Sequence, residues 1–195
     1  MALRGDLGSP EELPLVLAST SPQRRAILEQ LRIPFDVAAP TFDEAPGTSP
    51  LERAAGKARS VDGGDRPVLG VDTTVWLEGR VYGKPADAEE AVEMLDALGG
   101  RTHLVISGLC LVTPGWEEVE VEETAVTFRP LTAGDLAAYE QTGEWRGRAG
   151  GYAIQGRGAA LVARIEGDYL NVVGLPAALL VRLLAERFPG VYGFG

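Results

Sequence analysis

The sequence predicts an α/β fold, because short apolar runs of strand length alternate along the chain with amphipathic helical segments. The 195 residues are 45% hydrophobic and 24% charged, which is the composition of one ordinary globular domain or of two small lobes sharing a core. The chain contains no internal repeat and no low-complexity linker. A chain of this length buries roughly 70% of the surface of its unfolded form, so it needs no disulfide or structural metal to fold.

The first strand and the first helix are predicted to meet at a turn of small residues. Residues 15–18 are a short apolar run typical of a buried strand. Ser21 then stands at a helix cap, Pro22 takes the first helical position, and Pro34 ends the helix. The apolar stripe of this helix consists of Ile27, Leu28 and Leu31.

A hairpin is predicted in the middle of the chain, after a buried strand at residues 68–71. Residues 75–77 and 80–82 are expected to pair across the turn Glu78-Gly79. The remaining predicted elements are a helix between the cap Asp87 and Gly99-Gly100, strands within 104–112 and up to Phe128, a helix capped by Thr132 with Asp135, a glycine-rich stretch at 143–158, a strand at 161–165 and a final helix at 176–188.

The bulk composition excludes several classes of function. A net charge of −10 argues against binding long nucleic acids, which requires a basic surface. The single cysteine, Cys110, lies in an apolar run and is expected to be a buried, unreactive thiol. Residues 1–14 lack the apolar stretch of a secretion signal, and no run approaches the length of a membrane span. We therefore expect a soluble, cytoplasmic protein with a flexible N-terminal tail at residues 1–14.

The use of lysine is unusual. Of the 18 Lys and Arg residues, only Lys57 and Lys84 are lysines. A sequence that uses Arg for general positive charge would keep Lys where a compact ammonium group is needed, for example against phosphate oxygens. The alternative is that two surface lysines remain by chance, and this observation alone does not decide between the two.

The turn at residues 19–25 is predicted to bind an anion, because the unpaired amide groups and the dipole of a helix N-terminus attract negative charge. Arg24 and Arg25 lie in the first turn of this helix, where the dipole disfavours cations, and a bound anion would offset that conflict. The alternative is a solvated helix end with an arginine bonded to a carboxylate. We expect the functional role for Arg24 and the structural role for Arg25.

Two acidic residues are candidates for chemistry. Asp72 follows the strand at 68–71, at the carboxyl end of a predicted central strand, where α/β active sites gather. It could hold a magnesium ion, accept a proton from water, or cap a turn. Glu44 lies on a proline-rich loop. His103, the single histidine, lies in an apolar run and is expected to be structural, which argues against a serine hydrolase and a multi-histidine zinc site.

A set of short motifs carries a family resemblance, in register from about Leu15 to about Leu184. The motifs lie at 17–25, 43–44, 57–58, 71–73, 84–85, 100–103, 149–156 and 173–176. Together they closely resemble the Maf family of nucleoside triphosphate pyrophosphatases, which is related in fold to the inosine triphosphate pyrophosphatases. The resemblance implies a single domain at residues 15–195, with two lobes around a long twisted mixed β-sheet flanked by helices and a central cleft.

The resemblance also implies a reaction. A nucleoside triphosphate would be hydrolysed at the α-phosphorus to a nucleoside monophosphate and pyrophosphate, with Mg²⁺ or Mn²⁺, usually by a homodimer. Glu44 and Asp72 would hold the metal, and Asp72 would accept the proton from water. Lys84 and Arg24 would act with Asp72 in catalysis. The residues implied to bind the phosphate chain are Ser21, Arg24, Lys57 and Lys84.

The preferred base depends on three further positions. Thr73 and Gln155 resemble the branch of the family that prefers dTTP and UTP, and a Gln amide offers a donor and an acceptor to a pyrimidine imide edge. Gln23 fits neither branch, since the pyrimidine branch tends to have Arg there and the branch acting on N7-methylated GTP has Trp. We expect a preference for dTTP and UTP, with removal of non-standard nucleotides as a cellular role. The alternatives are a preference for 7-methyl-GTP, or a nucleotide-binding regulator of septum formation with incidental hydrolysis.

Overall fold

The structure is a computed structural model that describes residues 13–43, 45 and 47–195. The described strands are β1 (Leu15–Ala18), β2 (Phe35–Ala38), β3 (Val68–Leu77), β4 (Arg80–Tyr82), β5 (Thr102–Thr113), β6 (Trp116–Phe128) and β7 (Val162–Glu166). The described helices are α1 (Pro22–Gln30), α2 (Pro50–Arg59), α3 (Ala88–Leu98), α4 (Ala133–Glu140), α5 (Tyr169–Val173) and α6 (Ala177–Arg187). Short 3₁₀ turns lie at Ala149–Gly151 and Arg157–Leu161.

The strands of the described residues form one mixed sheet of seven, in the order β2-β1-β3-β5-β6-β7, with β4 paired to β3. Strand β1 pairs in parallel with β2 and with β3. The pairs β3–β4 and β6–β7 are antiparallel. The α/β class and the mixed sheet predicted from the sequence are therefore confirmed.

The chain divides into two compact units. The first consists of residues up to Asp72 together with Gly108–Glu122 and Leu175–Gly195, and the second of Thr73–Ser107 and Glu123–Gly174. Of the tail predicted at residues 1–14, residues 1–12 lie outside the described part of the chain. None of the helices in the described ranges has the length and apolar character needed to cross a bilayer.

In the first unit, helix α2 lies very close to the sheet. Its buried face consists of small residues, Ala54, Ala55 and Ala58. A Cβ atom added to Gly70 on β3 would collide with the carbonyl oxygen of Ala54, and one added to Gly108 on β5 would collide with that of Pro50. Glycine at these two strand positions therefore permits a backbone-to-backbone approach that a larger residue would prevent.

The sequence analysis placed no helix at α2, although the helix has a clear start signal. Ser49 accepts a hydrogen bond from the Glu52 amide at 3.2 Å, and the Glu52 carboxylate accepts one from the Ser49 amide at 2.7 Å. This is a complete capping box, and Pro50 follows at the first helical position. The strand β2 and the short helix α5 are likewise absent from the prediction.

In the second unit, the predicted hairpin and helix caps are confirmed. Val75 pairs with Tyr82 and Leu77 with Arg80, and the intervening turn has positive φ at Glu78 (49°) and Gly79 (85°). Such angles are typical of the tight turns that match the twist of a hairpin. Asp87 caps α3 through the Glu90 amide, and Thr132 forms a capping box with Asp135 at the start of α4.

Candidate active site

The turn between β1 and α1 is organised by a serine that the sequence analysis did not assign a role. The Ser19 side chain is buried, and its Oγ accepts hydrogen bonds from the Ser21 amide and from Arg24 Nη1, both at 3.1 Å. Arg24 is therefore folded back over the turn that precedes its own helix. This contact holds a guanidinium group beside the N-terminus of α1.

Ser21 occupies the predicted N-cap position but does not cap the helix with its side chain. Its hydroxyl instead donates to Gln23 Oε1 at 3.1 Å. Pro22 has no amide hydrogen, and the first turn of α1 contains no acidic residue. The helix start thus retains the features of an anion site, namely uncapped amide groups and a nearby cation.

Within the described ranges, Arg25 has no carboxylate partner of the kind that a structural role predicts. Its Nε atom is buried without a hydrogen bond, and no acidic residue in the described part of the chain forms an ion pair with it. The structural role expected for Arg25 stays a prediction. The structure gives no other role for its guanidinium group.

Asp72 lies on β3 with 7% of its surface exposed. Its Oδ1 atom accepts a hydrogen bond from Lys57 Nζ at 2.6 Å. On the other side of the carboxylate, Arg53 Nη1 lies 3.7 Å from Oδ2. That distance makes an ion pair without a hydrogen bond, and Oδ2 is a buried oxygen with no hydrogen-bond partner.

Two features of the first unit bring these groups together. Arg53 and Lys57 are four residues apart on α2, so they lie on the same face of the helix, and the close approach of α2 at Gly70 directs that face towards β3. In addition, Leu17 on β1 pairs with Leu69 on the parallel strand β3. The turn after β1 therefore lies beside the middle of β3, which carries Asp72. The prediction that Asp72 stands at the carboxyl end of a strand at 68–71 is wrong, because β3 continues to Leu77.

The contacts of Lys57 and Asp72 differ from those that the resemblance implies for the substrate complex. Lys57 was expected on the phosphate chain and Asp72 on a metal ion, whereas here they bond to each other. Among the described residues, no group of three His, Cys, Asp or Glu side chains is arranged so that it could hold a metal ion. Glu44, the second metal ligand implied by the resemblance, lies outside the described residues. The buried Oδ2 of Asp72 nevertheless suits a divalent cation, because Mg²⁺ prefers carboxylate oxygens.

Three further residues that were predicted for the site, namely Thr73, Lys84 and Gln155, belong to the second unit. Thr73 is half-buried, and its Oγ1 lies 2.8 Å from Ser107 Oγ and 3.4 Å from the carbonyl oxygen of Gly174. Lys84 and Gln155 are both exposed. Thr73 thus has a hydroxyl fixed by its neighbours, while the other two side chains are presented to solvent.

Lys84 follows β4 on a short loop that is tied to the glycine-rich stretch. The carbonyl oxygen of Gly83 accepts a hydrogen bond from the Gly150 amide at 2.9 Å, and Pro85 on the other side of Lys84 is buried. The Lys84 ammonium itself forms no ion pair with a described residue. A fixed backbone therefore presents a solvated cation.

His103 and Cys110 have the structural roles that the sequence predicts. His103 is 1% exposed and Nε2 lies 2.9 Å from the Tyr152 hydroxyl. Burial lowers the pKa of His103 to about 4, so the ring is neutral at pH 7. Cys110 is fully buried, and burial raises the pKa of its thiol to about 12. Neither group suits a nucleophile or a catalytic base.

A family model described as Maf-like protein matches residues 14–187. The chain belongs to the Maf family. It is 50% identical over 189 residues to the dTTP/UTP pyrophosphatase of Moorella thermoacetica, covering 92% of this chain and 97% of that protein. The proteins of the same name from Symbiobacterium thermophilum and Deinococcus radiodurans are 48% and 43% identical, covering 88% and 93% of this chain and 93% and 95% of their own.

Among solved structures, the Ham1 protein of Staphylococcus aureus has a TM-score of 0.43 and 18% identity, covering 58% of this chain and 71% of its own. That likeness is too distant to bear on the fold of this Maf protein. The family assignment depends on the sequence matches alone.

Three residues of this region were missing from the sequence prediction, namely Ser19, Arg53 and Ser107. The capping box at Ser49 predicts the helix α2, and the four-residue spacing to Lys57 then places Arg53 on the same face. No comparable sequence signal exists for Ser107, because its contact with Thr73 depends on how distant segments pack.

Proposed function

We propose that this Maf protein hydrolyses nucleoside triphosphates to nucleoside monophosphates and pyrophosphate, with a preference for dTTP and UTP. The curated relatives described above carry the name dTTP/UTP pyrophosphatase and match nearly the full length of the chain. The structural observation that carries the proposal is the buried Asp72 carboxylate with two cations beside it and one oxygen without a hydrogen bond. When a polyanion binds, the two cations can move from the Asp72 carboxylate to the polyanion.

The phosphate chain would bind to the start of α1 and to the cations around it. The amides of the first helical turn attract an anion, and Ser21 and Gln23 flank that turn. Arg24 would release Ser19 and offer a bidentate contact to phosphate oxygens. Lys57 and Lys84 would complete the neutralisation of the triphosphate.

A divalent cation, Mg²⁺ or Mn²⁺, fits the proposed site. Asp72 would hold it through Oδ2, and Glu44 is proposed as a further ligand. When bound, the metal would supply positive charge to the phosphate oxygens and lower the energy of the charge that develops on them. The preference of such cations for oxygen ligands agrees with the carboxylate at this position.

Asp72 would also remove a proton from the attacking water. The water oxygen bonds to the α-phosphorus, the bond from that phosphorus to the α,β-bridging oxygen breaks, and the water proton passes to the carboxylate. Lys57 and Arg24 hold the phosphate chain so that the pyrophosphate leaves in line with the entering oxygen. Lys84 opposes the negative charge that the leaving group gains.

The base would be selected by Thr73 and Gln155, with Gln23 as a third contact. The Thr73 hydroxyl is held in place by Ser107, so it meets the base in a defined orientation. An amide side chain at position 155 can pair with both the N–H and the carbonyl groups of a pyrimidine imide. The names of the relatives favour dTTP and UTP over the alternative of 7-methyl-GTP.

The homodimer, the cytoplasmic location and a role in removing non-standard nucleotides are part of this proposal and follow from the family resemblance. So does the central cleft in a single domain at residues 15–195. Size-exclusion chromatography with light scattering tests the homodimer directly. A monomer at micromolar concentration would contradict it.

The function is tested with a panel of the common and N7-methylated triphosphates in the presence of Mg²⁺ or Mn²⁺. We expect pyrophosphate and monophosphate as the first products, with kcat/KM highest for dTTP and UTP. Orthophosphate as the first product would refute attack at the α-phosphorus. Saturable nucleotide binding with no catalytic release of pyrophosphate would instead support the septum regulator with incidental hydrolysis.

A further inference from the structure

Gln155, the proposed base contact, lies at an exposed position on a tight loop. The residue before it, Ile154, is buried, with 6% of its surface exposed. The Ala153 amide donates a hydrogen bond to the Tyr139 hydroxyl at 2.9 Å, and the Gly156 amide donates to the carbonyl oxygen of Ala153 at 3.1 Å. The chain therefore turns at Gln155, and the arm of the loop before it is bound to helix α4.

The arm of the loop after Gln155 is bound by Glu144. Glu144 Oε1 accepts a hydrogen bond from the Arg157 amide at 3.1 Å, and Oε2 accepts one from the Gly158 amide at 3.4 Å. Both amides lie at the start of a 3₁₀ turn, where N–H groups have no partner within the turn. An ionised carboxylate suits this position, since hydrogen bonds to a charged acceptor are stronger than those to a neutral one.

Gly156 leaves the space that this carboxylate occupies. A Cβ atom added to Gly156 would collide with both carboxylate oxygens of Glu144. The carboxylate therefore lies directly against the backbone of the residue that follows Gln155. If the carboxylate moved away, the turn after Gln155 would lose the contact that fixes it.

Glu144 is itself held in place by the end of α4. Its amide donates to Thr142 Oγ1 at 3.1 Å, and the Thr142 hydroxyl donates to the carbonyl oxygen of Tyr139 at 2.6 Å. The next residue, Trp145, is 5% exposed, and its Nε1 donates to the carbonyl oxygen of Glu140 at 3.1 Å. Burial raises the pKa of the Tyr139 phenol to about 12, and the charge of the nearby Glu144 contributes to that rise. Both acceptors of the loop thus belong to one fixed segment.

We propose that Glu144, together with Tyr139, positions Gln155 for base recognition, so that the Gln155 amide meets the imide edge of a pyrimidine nucleotide in a fixed orientation. This role rests on the proposed function, since it takes Gln155 as a base contact. Glu144 then contacts neither the base nor the phosphate chain. Its loss should weaken the binding of UTP and leave the chemical step intact, because a loop that is free in solution must be ordered when the base binds.

Steady-state kinetics with UTP and GTP measure the effect of Glu144→Gln. This substitution keeps the size of the side chain but turns an NH₂ group towards one of the two amides. We expect the KM for UTP to rise about tenfold, the scale of one lost hydrogen bond. At saturating UTP, kcat should stay within about threefold of the wild type, because only binding is affected. For GTP, kcat/KM should stay within about twofold, so that the preference for UTP falls about tenfold.

A double-mutant cycle tests whether Glu144 acts through Gln155. Gln155→Ala alone should raise the KM for UTP about tenfold. Adding Glu144→Gln to it should change that KM by less than about twofold, because the contact that Glu144 positions is already gone.

The matched control is Asp135→Asn. Asp135 is another carboxylate of the second unit that accepts a backbone hydrogen bond, from the Thr132 amide at 2.8 Å. Its replacement weakens the start of α4 and so lowers stability. The preference for UTP should nevertheless stay within about twofold of the wild type, since no bond to the Gln155 loop is lost.

The positioning role is wrong if Glu144→Gln leaves the KM for UTP unchanged while Gln155→Ala raises it. It is also wrong if the effects of these two substitutions add in full, or if Asp135→Asn loses the preference equally. If Gln155→Ala itself has no effect on the KM for UTP, the base contact of the proposed function is overturned, and the role of Glu144 falls with it.

Tyr139→Phe decides the question where Glu144→Gln does not fold. It removes only the hydroxyl group that accepts the Ala153 amide and keeps the ring. We expect the KM for UTP to rise about threefold, with kcat/KM for GTP unchanged, because the other arm of the loop is released. An unchanged KM for UTP in this variant would overturn the proposal.

Discussion

Asp72 in the first unit and His103 in the second are both ionisable groups buried on β-strands, at 7% and 1% exposure. Their surroundings differ in kind. His103 packs edge-on against the rings of Phe128 and Tyr152, with ring centroids 4.9 and 5.5 Å away, and it bonds to a neutral hydroxyl. Asp72 instead lies between two cations carried by one helix.

This difference separates a structural group from a candidate functional one. Burial among neutral rings depresses the pKa of His103, so the ring loses its charge and acts as a packing element. The partners of Asp72 are charged groups that a polyanion can attract away, and one carboxylate oxygen has no hydrogen bond. A buried acid with exchangeable ionic partners is the arrangement that a phosphate and metal site requires.

Removing the charge of Asp72 is the strongest test of whether this residue is functional and His103 structural. Asp72→Asn keeps the size of the side chain, so we expect nucleotide binding to persist while kcat falls by roughly two orders of magnitude or more, the scale of a positioned base. Steady-state release of pyrophosphate measures this, with calorimetry for binding. Unchanged turnover would remove Asp72 from the proposed mechanism.

Lys84 is an exposed cation of the second unit, and its replacement tests whether such a group contributes to turnover without contributing to stability. Lys84→Ala should lower kcat by about a hundredfold, which is typical for the loss of one preorganised electrostatic donor. Its free energy of unfolding should change by less than about 0.5 kcal/mol, since the ammonium group is solvated. Arg164→Ala, which removes another exposed cation of this unit, is the control and should leave kcat unchanged. A rise in KM alone would contradict transition-state stabilisation by Lys84.

Gly70 tests whether the close packing of α2 positions the Asp72 cluster. In Gly70→Ala the new Cβ would meet the Ala54 carbonyl and lie 2.8 Å from the Ala58 amide nitrogen. We expect a loss of about 3 kcal/mol in unfolding free energy, as in overpacked cores. Turnover per folded molecule should fall as well, because α2 must move away from β3.

The control for this prediction is Gly115→Ala, where an added Cβ meets nothing within 4 Å and φ is not positive. Chemical denaturation measures the stability of both variants, and assays well below the transition measure turnover. Wild-type turnover in a destabilised Gly70→Ala would show that the spacing of α2 serves stability alone.

The fold was predictable wherever local signals agree with one another. The hairpin turn at Glu78-Gly79, the cap at Asp87 and the capping box at Thr132 all act over a few residues, and the structure contains each of them. The same kind of signal at Ser49 was available for α2. Recognising it would have added Arg53 to the candidate site through its spacing from Lys57.

Other parts of the site could not be derived from the sequence. The pairing of Lys57 with Asp72 depends on the tertiary approach of α2 to β3, which in turn depends on the missing side chain of Gly70. In this case packing between elements, rather than local propensity, decides where a charged group lies. The contact of Ser19 with Arg24 is local by comparison, because helical side chains point back towards the helix N-terminus.

The buried, neutral His103 leads to a prediction for how the free energy of unfolding depends on pH. Its folded-state pKa of about 4 lies below the ordinary 6.5, so the unfolded chain takes up the proton first as the pH falls. Stability from this group is present above pH 6.5 and is lost between pH 6.5 and 4. We expect the wild type to lose about 2 kcal/mol more than His103→Phe between pH 7 and pH 5, measured by urea unfolding. Equal losses in the two proteins would show that His103 does not cause the acid sensitivity.

The smallest expected effects come from a matched pair of helix caps, one in each unit. Ser49→Ala and Thr132→Ala each remove a capping box, and each should cost about 1 kcal/mol of unfolding free energy. Only Ser49 starts the helix that carries Arg53 and Lys57, so only Ser49→Ala should also lower kcat, by several-fold, through misplacement of these cations. Denaturation and steady-state kinetics on the two variants measure both quantities. Equal kinetic effects of the two substitutions would mean that helix stability in general, and not the position of α2, controls turnover.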